Sequence, residues 1–149
     1  GFTVRNENLS LLRDKLIALA TEALRGQDLR PTLEIDAEVP FDALTMDLAE
    51  GLRKLEPTGA RNDAPVFMTR RLYVADYRRV GQDGRHLKLR LKAPSGEFVD
   101  AIAFRYLDDP AADAPRPQQE VELVYRPSLD EYSGARRLQL VSEWLRPLP

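Results

Sequence analysis

Apolar positions along this chain change rhythm once, near Pro65. Ahead of that point they recur every three or four residues. Leu9, Leu12, Leu16, Leu19, Ala20, Ala23 and Leu24 fall on one stripe, the spacing that aligns side chains on one face of a helix. Asn6 or Asn8 is placed to cap its start and Gly26 to end it. Arg30-Pro31 forces the backbone to extend, and Leu33-Glu34-Ile35-Asp36 then alternates as a short strand does. A second helix is predicted from about Phe41, with Leu44, Leu48, Leu52 and Leu55 on one side and Pro57 and Gly59 ending it. Residues 1–64 thus read as helix–strand–helix, a length at which an independent core is marginal. Two readings stand for this segment: a helical subdomain packed on the C-terminal half of the chain, or the edge of a neighbouring domain.

From Val66 the period becomes two. Strands are predicted over Val66–Arg79, Arg85–Lys92, Glu97–Arg105, Glu120–Ser128 and Arg136–Trp144. The first two are joined through Gly81-Gln82-Asp83-Gly84 and the second and third through Ala93-Pro94-Ser95-Gly96, both with tight-turn chemistry. A longer insert rich in Pro, Ala and Asp, Tyr106–Gln119, separates the third and fourth. Five short strands with one long gap at that place are the pattern of an OB-fold barrel; an SH3-like barrel is the structural competitor. The fold class is therefore α+β, with a helix–strand–helix connector over 1–64 and a five-stranded barrel over 65–149.

Arg85–Lys92 is the most informative strand. Leu87, Leu89 and Leu91 point to one side of the pleat and His86, Lys88, Arg90 and Lys92 to the other. Same-face side chains lie about 7 Å apart, twice the strand rise, a spacing similar to that of phosphates along an extended single strand. OB folds bind oligonucleotides on this sheet face and its flanking loops. A plainer explanation is that a solvent-facing or edge strand carries Lys and Arg to resist aggregation.

Charge supports the first explanation only when counted locally. The chain as a whole carries a net −2, yet Val66–Lys92 holds 8 Lys/Arg against 2 Asp/Glu, and the local field is what a ligand meets. Arg70, Arg71, Arg78 and Arg79 extend the cationic character onto the preceding strand. Tyr73, Tyr77, Phe104, Tyr106 and Tyr132 are candidate stacking rings. Of these Phe104 is expected in the core. Tyr132, in the turn Asp130-Glu131-Tyr132-Ser133-Gly134 next to Arg136 and Arg137, is expected to be exposed.

Candidate chemistry is sparse. There is no cysteine, so disulfides, thiol nucleophiles and thiolate metal sites are excluded. His86 is the single histidine and has no neighbouring ligand partners in sequence; a stacking or hydrogen-bonding role suits it. Asp108 and Asp109 fall in the Pro/Ala-rich insert as solvating groups. No P-loop, GxGxxG, GxSxG or HExxH pattern occurs. No apolar run reaches the roughly 18 residues of a membrane span. A cytoplasmic protein without membrane contact is expected.

The order of short motifs carries a resemblance. Leu55-Glu56-Pro57-Thr58-Gly59, then Asn62 and Pro65-Val66-Phe67, resembles the LEPFGxGNPxPVF entry to the OB domain of RecJ-family exonucleases. Val80–Leu89 resembles that family's VGxxGxHLKL hairpin, Ala101-Ile102-Ala103-Phe104 its AIAF strand, and Glu131–Leu140 its NEFNGxxxLQL ending, with Arg146-Pro147 closing the match. Gly1-Phe2-Thr3-Val4 is similar to the tail of the GGHxxAAGF motif of the preceding DHHA1 domain. Departures occur at Thr58, where the family has Phe, across Gly59-Ala60-Arg61-Asn62, and at Asp130 and Ser133, where the family has Asn.

The resemblance implies a C-terminal part of a longer single-stranded-DNA exonuclease acting 5′ to 3′ in DNA repair and recombination. The DHH and DHHA1 domains of the same polypeptide would lie upstream. It implies Mn²⁺ or Mg²⁺ in that DHH domain and no cofactor, metal or catalytic residue in this chain. Single-stranded DNA is the expected partner, with other repair proteins as further ones. Contacts are expected at Arg70, Arg71, Tyr73, His86, Lys88, Arg90, Lys92, Tyr132, Arg136 and Arg137. The alternative function is a bracing or protein-interaction module that does not touch DNA.

Overall fold

The computed structural model describes residues 3–29, 32–109, 114–131 and 134–149. Gly1-Phe2, Arg30-Pro31, Tyr132 and Ser133, on which parts of the sequence reading fall, lie outside the described residues. Two compact units are formed, Gly1–Leu33 and Glu34–Pro149.

The first unit is built on helix α1, Leu9–Ala23, entered through a 3-10 turn at Asn6–Asn8. Asn8 is the N-cap but its side chain makes no capping hydrogen bond. Past the end of the helix Gly26 takes φ +78, the left-handed geometry in which glycine is least strained. None of the residues of α1 is buried; the stripe of leucines has no cover within its own unit.

The second unit runs β1 (Ala37–Glu38), α2 (Met46–Arg53), β2 (Phe67–Val80), β3 (His86–Lys92), β4 (Phe98–Ala103), β5 (Glu120–Asp130) and β6 (Arg137–Pro147). The strand anticipated at Leu33–Asp36 forms slightly later, at β1, because its hydrogen bonds are set by the start of β2. Ala37 and Glu38 pair in parallel with Phe67 and Met68. The Asp36 carboxylate accepts from the Val66 N–H at 2.8 Å and so fixes the entry. Likewise α2 starts not at Phe41 but after a 3-10 turn over Phe41–Ala43, where Thr45 Oγ1 accepts from the Leu48 N–H. A Thr cap satisfies one of the donors a helix start leaves open.

Strands β2 to β6 close a five-stranded barrel in the order β2-β3-β4-β6-β5 and back to β2. Closure depends on the length of β2. Its first half pairs with β5, from Phe67↔Tyr125 to Tyr73↔Glu120, and its second half pairs with β3, from Tyr73↔Lys92 to Val80↔His86. Register breaks between Thr69 and Leu72 and between Val74 and Asp76 bend the strand between its two partners. Arg71, inside the first break, takes φ +58. The β4–β6 pair is parallel; the other barrel pairs are antiparallel.

Period-two alternation fills the barrel. Leu72, Val74, Leu87, Leu89, Leu91, Ala101, Val121, Leu123, Tyr125 and Leu140 are buried in one cluster. Apolar burial contributes about 25 cal/mol per Å², so this cluster dominates the stability of the second unit. Tyr125 is the ring at its centre, hydrogen-bonded through its hydroxyl to Thr69 Oγ1 at 2.8 Å, while Thr69 donates to the Val39 carbonyl. Burial pushes the Tyr125 hydroxyl up to about 12, the Thr69 bond pulling weakly the other way.

Phe104, expected in the core, is exposed. Val99, Ala101 and Ala103 of β4 face inward, so Phe104 falls on the opposite parity, and Arg105 at φ +55 then turns the chain away. The 3-10 turn Tyr106–Asp108 comes next.

Candidate nucleic-acid interface

The expected parity of β3 holds residue by residue. Leu87, Leu89 and Leu91 are buried, His86 and Lys88 are half-buried, and Arg90 and Lys92 are exposed. Because β3 is paired on both sides, with β2 and β4, it has no free edge, and its cations are not needed to block edge pairing.

Register shows what stands beside each cation on this outer face. Lys92 lies between Tyr73 of β2 and Phe98 of β4, and Arg90 between Asp76 and Asp100. Lys88 lies between Arg78 and Ile102, and His86 is opposite Val80. The face is therefore not uniformly cationic: two carboxylates flank Arg90 at its centre. Arg90 also lies over the Phe98 ring, 4.8 Å from its centroid, with the Lys92 ammonium at 6.0 Å, a geometry attractive to the electron-rich ring face. Phe98, half exposed, is absent from the stacking rings expected from sequence. Its parity with Asp100 and Ile102 is the signal that could have found it.

The residues proposed from sequence divide by what already holds them. Arg70 is engaged by Glu38 at 3.1 Å and Glu122 at 2.9 Å. Glu122 is nearly buried and is also held by Arg146, whose guanidinium lies over Trp144 at 5.3 Å. Arg136 is engaged by Glu131 at 2.9 Å and Glu50 at 3.4 Å. Among the described residues Arg71, Arg78, Lys88 and Arg137 enter no ion pair or side-chain hydrogen bond. Arg137, at the start of β6, lines one shallow depression with Arg78, Lys88 and Arg90, so the structure brings these four together. Arg71 stands on the bulge of β2, exposed. Tyr132 lies outside the described residues.

His86 hydrogen-bonds, as expected, but to the protein itself. Its Nδ1 accepts from the Arg105 N–H at 2.8 Å, which requires the unprotonated nitrogen at that position. Its ring meets Phe104 edge-on at 5.4 Å and lies so near Gly81 that a Cβ there would sit 2.8 Å from His86 Cδ2. The ring thus ties the β2–β3 turn to the segment leaving β4. Asp108 completes this corner: the hydrogen bond from Arg105 holds its carboxyl below the usual range, helped by Arg85 and opposed by partial burial. Among the described residues no group of three or more His, Cys, Asp or Glu side chains is arranged to hold a metal ion, and no helix is long and apolar enough to cross a membrane.

Known proteins are similar to this chain in sequence and in shape. Residues 35–143 match the family described as the RecJ OB domain. The chain is 31% identical over 149 residues to the single-stranded-DNA-specific exonuclease RecJ of Dickeya dadantii, covering 99% of this chain and 25% of that protein. It is 28% identical, with the same coverage, to RecJ of Escherichia coli. A crystal structure of Thermus thermophilus RecJ in complex with Mn²⁺ superimposes with a TM-score of 0.70, covering 100% of this chain and 20% of that one, at 24% identity. The chain spans about a quarter or less of the length of the curated relatives it matches. A barrel of this topology, with the family's motifs on its β2–β3 hairpin, β4 and β6, and a family match across the second unit, places the chain in the RecJ OB-domain family.

Proposed function

We propose that the chain binds single-stranded DNA on the outer face of β2, β3 and β4 and its flanking loops. In this reading it is the non-catalytic C-terminal part of a RecJ-type 5′ to 3′ exonuclease of cytoplasmic DNA repair and recombination. The observation that carries it is the group Arg78, Lys88, Arg90 and Arg137 around one depression, where they outnumber Asp76, Asp100 and Asp130 and none of the four enters an ion pair among the described residues. Cations left unpaired on a solvated face are available to phosphates, and the counterions released give binding its salt dependence. Divalent-metal chemistry belongs, in this reading, to other domains of the same polypeptide, and no described residue here is assigned to it.

The test is a titration of fluorescent oligo(dT) across a salt series. Binding that weakens steeply with salt is expected. A Lys88→Glu, Arg78→Glu double change should lower affinity by at least about tenfold while thermal unfolding is unchanged. Absence of binding at low salt overturns the reading.

One observation favours the second reading, a bracing or protein-docking module. Arg70, Arg85, Arg105 and Arg136 are all engaged by acids of the same chain, as charges serving structure would be. The same titration separates the two, since this reading predicts no affinity for the oligonucleotide.

A further inference from the structure

The outer face of β3 is flanked by a cleft of about 640 Å³ between the segment leading into α2 and strands β3, β4 and β6. Its apolar surface comes from Phe98, Leu138, Phe41 and Leu44. Phe41, Leu44 and Leu138 are packed against the core and hold their positions, while Phe98 is half exposed. The cleft's charges balance: Arg90, Arg136 and Arg137 stand against Asp42, Glu97 and Asp100. Balanced charge around an aromatic surface does not suit a phosphate. It suits a neutral, planar group with hydrogen-bonding edges.

Resting on the single-strand reading above, we propose that this cleft takes an unpaired nucleobase, with Phe98 as its stacking platform. Asp100, facing the same cleft beside Arg90, accepts from an exocyclic amine or ring N–H of the base, and Arg90 donates to a carbonyl. Phosphates on either side of that base run past Lys88, Arg78 and Arg137, which enter no ion pair among the described residues and outnumber the two carboxylates, Asp76 and Asp130, at that end of the face. The face is thus divided: bases go to its Phe98 end and backbone charge to its Lys88 end. Asp100 beside Arg90, which a pure phosphate track would not tolerate, is accounted for by this division.

The experiment compares oligo(dT) with a strand of equal length and charge built from abasic sugars, each titrated against the 149-residue chain and its Phe98→Ala variant. Stacking on one aromatic side chain corresponds to roughly five- to hundredfold in affinity. Phe98→Ala is therefore expected to weaken oligo(dT) at least about fivefold and to leave the abasic strand unchanged. Phe98→Leu, which keeps apolar bulk, should show the same selective loss, and thermal unfolding of both variants should match the parent. Equal weakening of both strands, or of neither, overturns the proposal while leaving single-strand binding in place. A parent chain that binds the two strands alike does the same. A parent chain that binds neither strand overturns both the proposal and the reading beneath it.

Discussion

Arg70 and Lys88 come from one basic stretch of sequence and lie on neighbouring strands of one barrel, yet their surroundings differ in kind. Arg70 sits where β1, β2 and β5 meet, held between Glu38 and the nearly buried Glu122, with Arg146 completing the network. Lys88 stands on the outer face of β3 beside Arg78 and Ile102, without an acidic partner among the described residues. The first cluster satisfies Glu122, a carboxylate that the fold has taken out of water, so removing the cations leaves its charge unpaired in low dielectric. The second is solvated, contributes little to stability, and is therefore open to an external anion. A count of Lys and Arg cannot separate these two uses; the identity of each cation's neighbour can.

The largest expected effect comes from the buried end of the network. Glu122→Ala removes the anion between Arg70 and Arg146 and should cost about 2–3 kcal/mol in urea unfolding, less than a fully buried pair because both arginines are half exposed. A cost below about 0.5 kcal/mol would place this cluster in the same class as Lys88. Alkaline titration probes the core beneath. The Tyr125 hydroxyl, at 10.0 when free and raised to about 12 by burial, binds its proton more tightly in the folded chain. Its contribution is fully present below pH 10, declines as the pH passes from 10 towards 12, and amounts to roughly 3 kcal/mol. Tyr125→Phe should flatten that decline in a pH series of thermal unfolding; an unaltered slope would assign it elsewhere. The smallest effect contrasts the two regions directly. Lys88→Ala should reduce the salt slope of oligo(dT) binding by about one unit with no change in stability, and Arg70→Ala should leave the slope alone while costing about 1 kcal/mol. Reversal of that pattern would break the distinction between the clusters.

Local rules make much of the barrel legible. Strict alternation in Leu87–Lys92 and turn residues at Gly81–Gly84 and Ala93–Gly96 place the strands near their observed bounds, since period and turn chemistry are encoded by adjacent residues. Phe104 is misplaced when its aromatic character is weighed above its parity with Ile102, and the same parity exposes Phe98. The engagement of Arg70 is beyond local reading, whereas Arg136 finds Glu131 five residues away. The Arg70 partners Glu38 and Glu122 are distant in sequence and meet it only once the barrel closes. The role of His86 as a tie between two connections depends on Arg105 in the same way.

Closure through β2 has a mechanical consequence. A force applied along β3 loads it in shear against β2 and β4 together, and many backbone hydrogen bonds must give way at once. Because β2 continues past its bend to pair with β5, the load passes around the ring and does not peel one strand from an open side. A closed ring loaded lengthwise resists unzipping without added mass.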